Sequence, residues 1–257
     1  MAFNRVKTYS PLANALASHF MEGVSKAIPL NRKDVLLDVG CGEGTMTSLL
    51  SKRVARVTAF DISQKMIKEA KEISKAENIT YCVGDAAKLS TYEEYRDSFD
   101  KVIAHFTIHW MKDFKIALEG MHQSLKPGGQ CFVNMTQRNP NVIDSITALN
   151  SYTSPKWEIF MKGYKHPYYP FKGSVEEFKQ MLADIGFKDI DCTQDIPKFF
   201  LEKDMGKAFL PNFMGQLERF PEDRREEYIK DALAFVFGTV GEEYCVTYSR
   251  ITAVATK

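Results

Sequence analysis

A glycine-rich turn between a short apolar run and an amphipathic segment constrains the fold of this chain most strongly. Its residues are Leu37-Asp38-Val39-Gly40-Cys41-Gly42-Glu43-Gly44-Thr45, and they follow the apolar run 35–39 and open a predicted helix over 45–54. A strand that enters a helix through closely spaced glycines is typical of α/β folds in which the main chain approaches a ligand. The turn therefore predicts a parallel sheet with a ligand site after this strand.

The spacing of the three glycines argues against a dinucleotide site. The dinucleotide fingerprint is G-x-G-x-x-G, and it places a pyrophosphate on the helix N-terminus. Here the spacing is G-x-G-x-G, and Asp38 precedes the turn. This pattern favours a main chain that wraps a ligand without a phosphate, so a dehydrogenase is a distant alternative.

Strands and helices alternate through the first half of the chain. Strands are predicted over 35–39, 57–60, 79–83, 99–104 and 130–135, and helices over 45–54, 64–75 and 114–125. This order predicts a parallel sheet with helices on both faces. Beyond it, the patterns predict helices over 174–185 and much of 203–237, a sixth strand over 187–193 and a final strand over 243–255.

Two further acids follow the second and third predicted strands. Asp61 comes about 20 residues after Gly40, where an acid accepts hydrogen bonds from both ribose hydroxyls in nucleotide-binding folds. Asp85 follows the third strand, from which a carboxylate can accept a hydrogen bond from an adenine amino group. Any one acid would be explained by a turn or cap, but Asp38, Asp61 and Asp85 together favour a ligand site.

Five stretches together resemble class I S-adenosylmethionine-dependent methyltransferases. They are VLLDVGCGEG at 35–44, AFDIS at 59–63, VGDA at 83–86, FDKVIAHFTIHW at 99–110 and LKPGGQCFV at 125–133. The resemblance implies an α/β, doubly wound, seven-stranded and mostly parallel sheet whose last strand is antiparallel. It also implies S-adenosylmethionine as cofactor, released as S-adenosylhomocysteine.

The same resemblance implies a set of cofactor-binding residues. Gly40 and Gly42 are expected near the methionine part, Asp61 on the ribose and Asp85 with Ala86 at the adenine, while His105 lines the cofactor pocket or is structural. The expected set is Asp38, Gly40, Cys41, Gly42, Asp61, Ile62, Asp85, Ala86 and His105.

The residues after the fourth strand bear on the group that is methylated. Enzymes that methylate base amino groups resemble each other in an Asn/Asp-Pro-Pro-aromatic motif there, whereas this chain has His105-Phe106-Thr107-Ile108-His109-Trp110. A carboxylate is ionised at neutral pH and needs no general base. Trp110 and His109 can each donate a hydrogen bond to it, and they are our candidate catalytic residues. A packing role for Trp110 and a structural role for His109 stay open.

A narrower resemblance concerns the arthropod juvenile hormone acid O-methyltransferase family. It lies in FTIHWMKD at 106–113, FLPN at 209–212, FPED at 220–223 and EEYIKD at 226–231. It implies methyl esterification of farnesoic acid or juvenile hormone acid, with Trp110 at the position of the family's carboxylate-contacting tryptophan. The family also uses a glutamine near the N-terminus, where Asn14 is the nearest amide in this chain. Another acid, an amine or a phenol therefore stays open as the acceptor, as does a non-catalytic cofactor-binding relative.

Length and composition limit the other classes of function. The chain has 257 residues, and we predict one methyltransferase domain over 1–257, with a cofactor half at 34–135 and substrate-side helices and last strands at 136–257 that form a cap. The aromatic segment 152–171 is either core or lid.

The formal net charge of +1 and five scattered cysteines argue against a nucleic-acid partner, a metal site or a disulfide framework. With no apolar run of about 18 residues and no secretory pattern, we expect no membrane partner and a cytoplasmic setting. The oligomeric state is open, a homodimer being one alternative.

Overall fold

A computed structural model describes residues 20–142, 144–200, 210–240 and 245–257. Asn14 and the other predictions for residues 1–19 lie outside these ranges, as do 201–209 and 241–244. The helices are α1 (20–27), α2 (Thr45–Ser51), α3 (Gln64–Ile73), α4 (Lys115–Ser124), α5 (Ser145–Ser151), α6 (Glu158–Met161), α7 (Val175–Ile185) and α8 (Glu222–Val240). The strands are β1 (Val35–Val39), β2 (Arg56–Asp61), β3 (Ile79–Val83), β4 (Phe99–His105), β5 (Leu125–Gln137), β6 (Lys188–Asp195), β7 (Lys198–Phe200), β8 (Cys245–Thr247) and β9 (Ser249–Thr256).

The main sheet of the described residues has seven strands in the order β3-β2-β1-β4-β5-β9-β6. The strands β1 to β5 pair in parallel, while β9 pairs antiparallel with both β5 and β6. The predicted α/β fold with an antiparallel last strand is confirmed. The chain order reverses across β1 and β4, so a crevice forms at their carboxyl ends, where ligands bind in such sheets.

Helices cover both faces of the sheet because strand side chains alternate between the faces. On β1, Leu37 packs on one face with residues of α4 and α7, such as Leu118 and Phe178. Leu36 packs on the other face with residues of α1, α2 and α3, such as Val24 and Leu50. These two buried layers are what makes the sheet doubly wound.

The helix boundaries have local causes in the sequence. Ser63 begins α3, since its hydroxyl accepts a hydrogen bond from the Met66 N–H at 3.3 Å. Ser174 and Glu177 form a reciprocal capping box at the start of α7. The same helix ends at Gly186, whose φ of 114° is left-handed and favours glycine.

A third buried cluster joins α5, α6 and α8 to a small second sheet made of β7 and β8. Trp157 is fully buried in it, and its indole N–H donates to Asp231 Oδ2 at 3.0 Å. The aromatic segment 152–171 therefore divides, because Trp157 belongs to this core whereas Tyr168 faces a cavity.

The structure corrects one predicted element and resolves another in more detail. The single final strand predicted over 243–255 is two strands, because β8 pairs with β7 in the small sheet and β9 pairs in the main sheet. The described part of 203–237 holds two short 3-10 turns, 210–213 and 215–219, before α8. No helix in the described ranges is long and apolar enough to cross a membrane.

Candidate active site

A cavity of about 490 Å³ lies at the carboxyl ends of β1, β2, β3 and β4. All the residues that the sequence predicted for the site line this cavity, although they come from four strand ends. They are Asp38, Gly40, Cys41, Gly42, Asp61, Ile62, Asp85, Ala86, His105, His109 and Trp110. The volume is in the range of small-molecule and cofactor sites.

The turn after β1 is held close to two neighbouring strands. The N–H groups of Gly40 and Cys41 both donate to the Phe60 carbonyl of β2, at 2.8 and 3.0 Å. Gly40 has a φ of +72°, and an added Cβ would lie 2.0 Å from Cγ2 of Thr107. Because no side chain fits there, glycine is required at this position for steric reasons as well as for its backbone angle.

The carboxylate of Asp61 organises the turn from the end of β2. Its Oδ2 accepts from the Gly42 N–H at 3.1 Å, and its Oδ1 accepts from the Ser63 N–H at 2.8 Å. An ionised carboxylate has about four acceptor positions, so two hydrogen bonds leave capacity for ligand hydroxyls. At the end of β3, Asp85 Oδ1 accepts from the Ala87 N–H at 2.9 Å, which fixes that side chain beside Ala86.

Asp38 lies beneath the turn and is almost completely buried. Its Oδ2 accepts a hydrogen bond from Oγ1 of Thr47 at 2.6 Å. Burial raises the pKa of the Asp38 carboxyl to about 6, since desolvation disfavours the charged form. With Glu43, Asp61 and Asp85, this end of the cavity carries four carboxyl groups, which suits a cationic ligand such as a sulfonium.

The segment after β4 turns sharply over the glycine turn. Phe106 has a φ of +51°, which is uncommon for a bulky residue and is found mostly at constrained, functional positions. Its N–H donates to the Asn134 carbonyl at 2.9 Å, and the next residue, Thr107, donates through Oγ1 to the Gly40 carbonyl at 3.1 Å. The segment is thus bonded to β5 at Phe106 and to the glycine turn at Thr107.

His109 is buried, and Nδ1 accepts a 3.4 Å hydrogen bond from the Thr136 N–H. Burial lowers the pKa of His109 to about 3, so the ring is neutral and carries its proton on Nε2. The Trp110 indole N–H donates to the Phe106 carbonyl at 3.2 Å. The Trp110 ring contacts three others, with centroid distances of 5.3 Å to His109, 5.6 Å to His166 and 5.3 Å to Tyr168.

His105 ends β4 with its ring between aromatic neighbours, 4.7 Å from both the Phe20 and the Phe106 ring centroids. Neither ring nitrogen has a hydrogen-bond partner in the described part of the chain. Burial lowers the pKa of His105 to about 3, so this histidine is also neutral.

The far end of the cavity is aromatic and aliphatic, and sequence reasoning missed most of it. Among the described residues, no lysine or arginine lines the cavity. The missed residues are Phe20, Thr136, Ile146, Val246 and Tyr248, whereas Tyr168, Phe199 and Phe213 lie in 152–171 and 199–237, whose apolar residues the sequence favours as a pocket. Together they lie on seven separate segments, so no local pattern could have grouped them.

None of the cysteines forms a disulfide, and burial raises the pKa of the Cys41 thiol far above its ordinary value. Cys41 is therefore an unreactive part of the turn. Within the described ranges, no group of three or more His, Cys, Asp or Glu side chains is placed to hold a metal ion.

Comparison with known proteins decides the family. A methyltransferase domain model matches residues 37–133. The juvenile hormone acid O-methyltransferase of Drosophila melanogaster is 31% identical over 218 residues, which is 79% of this chain and 71% of that protein. The chain belongs to the class I S-adenosylmethionine-dependent methyltransferases. This methyltransferase is also 25% identical to the juvenile hormone acid O-methyltransferase of Bombyx mori, over 79% of this chain and 74% of that one.

Solved methyltransferases share the fold. The YcgJ protein of Bacillus subtilis superposes with a TM-score of 0.66 at 18% identity, covering 93% of this chain and 98% of that chain. The phosphoethanolamine N-methyltransferase 2 of Haemonchus contortus, solved with S-adenosyl-L-methionine, gives a TM-score of 0.62 at 17% identity, over 100% of this chain and 60% of that one. The cofactor of this methyltransferase is S-adenosylmethionine, and the acidic end of the cavity with its glycine turn fits that cationic molecule.

Proposed function

We propose that this methyltransferase esterifies the carboxylate of a small hydrophobic acid of the farnesoic acid or juvenile hormone acid type. The observation that carries the proposal is the composition of the cavity. Its acidic end suits the cofactor, and its other end is apolar, with His109 and Trp110 between them and no lysine or arginine among the described lining residues. A polar acid with several charges would need such cations, whereas one carboxylate on an apolar chain needs a few donors.

In this proposal the residues of the acidic end hold the cofactor. Asp61 accepts from the ribose hydroxyls with Ile62 beside it, and Asp85 and Ala86 receive the adenine. Asp38, Gly40, Cys41 and Gly42 surround the methionine part, and the 34–135 half thus supplies the cofactor site while 136–257 supplies the cap. Bound S-adenosylmethionine supplies an electrophilic methyl group on a positive sulfur. The protein then has to align the acceptor, exclude water and leave the acceptor oxygen free to attack.

The histidines of the cavity support a carboxylate over an acceptor that must lose a proton. His105 and His109 have pKa values of about 3, so both are weak bases at neutral pH. An amine or phenol needs a base to remove its proton, whereas a carboxylate attacks directly. One carboxylate oxygen bonds to the methyl carbon, the carbon–sulfur bond breaks, and its electron pair stays on sulfur. The products are the methyl ester and S-adenosylhomocysteine, with no proton transferred.

In this proposal, Trp110 must exchange one hydrogen-bond acceptor for another when the substrate binds. Its indole N–H already donates to the Phe106 carbonyl at 3.2 Å. A hydrogen bond to a carboxylate is charge-assisted and about twice as strong as one between neutral groups. We infer that a carboxylate competes for this N–H, while the neighbouring rings keep the indole in the cavity wall.

Named relatives support more than one acceptor. The malonyl-[acyl-carrier protein] O-methyltransferase of Priestia megaterium is 30% identical over 131 residues, which is 49% of this chain and 46% of that protein, and its name is that of another O-methyltransferase. The demethylmenaquinone methyltransferase of Staphylococcus aureus is 30% identical over 204 residues, which is 73% of this chain and 83% of that one. The similarity to this second relative supports another candidate function, methyl transfer to an apolar acceptor that is not an acid.

A transfer assay with radiolabelled S-adenosylmethionine tests the proposal. The panel contains farnesoic acid, medium-chain fatty acids, a tricarboxylic acid, amines and phenols. We expect base-labile label on farnesoic acid or another apolar acid, because methyl esters hydrolyse in base. Base-stable label on an amine or phenol would refute the carboxylate proposal. Tight cofactor binding without transfer to any panel member would favour a non-catalytic relative.

A further inference from the structure

Three neighbouring side chains on one face of β4 and β5 carry buried polar atoms without hydrogen-bond partners in the described ranges. The atoms are Nδ1 and Nε2 of His105, Oδ1 of Asn134 and Oγ1 of Thr136. His105 and Asn134 are register partners on adjacent strands, and Thr136 follows two residues later on the same face. Buried polar atoms normally have partners, so four such atoms in one patch indicate bonds that a bound molecule completes.

Two of these side chains belong to residues that line the cavity, with their polar atoms buried just beneath its surface. His105 and Thr136 line it, whereas Asn134 does not and donates through its amide to Oγ1 of Thr252 at 3.3 Å. Thr136 is only 4% exposed. A neutral imidazole carries one N–H and a threonine one O–H, so this part of the wall offers two donors.

Two other donors in the cavity wall already have acceptors. The Trp110 indole N–H donates to the Phe106 carbonyl, and the Tyr168 hydroxyl donates to Oδ2 of Asp144 at 2.9 Å. Burial raises the pKa of the Tyr168 phenol, and contact with the neighbouring Thr136 hydroxyl acts in the opposite direction. Among the described residues, Oγ1 of Thr136 has no hydrogen bond of ordinary geometry. A carboxylate that leaves water requires several donors, because its oxygens accept about four hydrogen bonds.

We propose that His105 and Thr136 donate hydrogen bonds to the acceptor carboxylate, beside His109 and Trp110. This inference rests on the proposed function and assigns His105 to the acceptor instead of the cofactor. It gives the site a way to select an ionised acid over a neutral molecule with the same chain. It also favours product release, because the neutral ester accepts weaker hydrogen bonds than the carboxylate did.

One isosteric variant and one variant that keeps an aromatic ring test the proposal. Thr136→Val removes the hydroxyl, and His105→Phe removes both ring nitrogens while keeping an aromatic ring against Phe20. Matched controls are Thr58→Val and His122→Phe, which change residues outside the cavity lining and outside this polar patch. Calorimetry measures the binding of farnesoic acid and of farnesol, its neutral counterpart, to protein loaded with S-adenosylhomocysteine. Thermal melting confirms that each variant is folded.

We expect each test variant to bind farnesoic acid about tenfold more weakly or worse, the size of one hydrogen bond to a charged group. Farnesol and S-adenosylhomocysteine should bind within about threefold of wild type, and KM for the acid should rise with its Kd. Equal losses for acid and alcohol would overturn the proposal in favour of packing. If His105→Phe instead weakens binding of S-adenosylhomocysteine, His105 contacts the cofactor, and its assignment to the acceptor is wrong.

The failure of this proposal differs from failure of the proposed function. Wild-type protein that esterifies the acid, together with variants that keep its preference for acid over alcohol, would refute the roles of His105 and Thr136 alone. Wild-type protein that neither binds nor methylates any acid would refute the proposed function and this inference with it.

Discussion

Thr107 occupies the space that a side chain at position 40 would fill. Its Cγ2 lies 2.0 Å from where a Cβ on Gly40 would be, while its Oγ1 donates to the Gly40 carbonyl at 3.1 Å. The segment after β4 therefore packs against the glycine turn and is hydrogen-bonded to it. The shape of the acidic end of the cavity depends on both segments.

Gly40→Ala should weaken cofactor binding and lower stability. The substitution forces a Cβ into Thr107 and places alanine at a φ of +72°, a conformation that alone costs about 1–2 kcal/mol. Gly42→Ala is the comparison, because Gly42 has a similar φ of +56° but no protein atom within 4 Å of an added Cβ. We expect a larger fall in melting temperature for Gly40→Ala. Equal falls would show that backbone angle, and not the contact with Thr107, controls this position.

Trp110→Phe should lower methyl transfer and leave cofactor affinity nearly unchanged. The change removes the indole N–H but keeps an aromatic ring among His109, His166 and Tyr168. We expect kcat/KM to fall about tenfold or more, measured by transfer of labelled methyl, with the Kd for S-adenosylmethionine measured by calorimetry. Trp157→Phe is the control: it loses the bond to Asp231 and should affect melting temperature instead. Equal losses of transfer and of cofactor affinity would contradict the specific role of Trp110.

Asp61→Asn should weaken S-adenosylmethionine and S-adenosylhomocysteine to the same extent. The Asp61 carboxylate accepts from the Gly42 and Ser63 N–H groups and, in our proposal, from the ribose hydroxyls. Asparagine replaces one of its two acceptor oxygens with an NH₂ donor, so some of these hydrogen bonds are lost. The ribose is common to both molecules, so calorimetry should give matching losses of about tenfold or more. A selective loss of S-adenosylmethionine would instead point to an electrostatic role toward the sulfonium.

Asp38 should make stability depend on pH between about 4 and 6. The folded pKa of about 6 exceeds the ordinary value of 3.8, so the folded state binds more protons than the unfolded state in this window. The contribution of Asp38 is therefore full below the unfolded pKa and is lost as pH rises through 6. The unfolding free energy of wild type relative to Asp38→Asn should fall by about 2–3 kcal/mol from pH 4 to pH 7. Denaturant titrations at several pH values measure it, and a pH-independent difference would contradict the prediction.

The cofactor half of the site could be predicted because its residues follow strand ends. The end of a parallel strand is a local feature of sequence, and the ends of neighbouring strands meet at one edge of the sheet. The predicted strand ends, together with the glycine turn, therefore pointed to Asp38, Asp61 and Asp85. Their roles toward the cofactor stay predictions.

The acceptor end could not be predicted in the same way. Phe20, Thr136 and Tyr248 meet through tertiary packing between distant segments, which leaves no periodic pattern in any one of them. The bond from Trp110 to the Phe106 carbonyl also escaped prediction, because it depends on the unusual positive φ of Phe106. The strand predicted over 243–255 is interrupted at Tyr248 because β8 and β9 pair in different sheets.

The position of β9 between β5 and β6 has a consequence for biosynthesis. The ribosome makes β5 and β6 before β9, yet β6 joins the sheet only through β9, and one edge of β5 waits for it. Until Ser249–Thr256 emerges, β5 presents an open row of N–H and C=O groups, and such edges recruit other chains. A nascent chain halted before Ser249 would expose this edge, so we expect rapid completion or chaperone shielding to protect the unfinished sheet from aggregation.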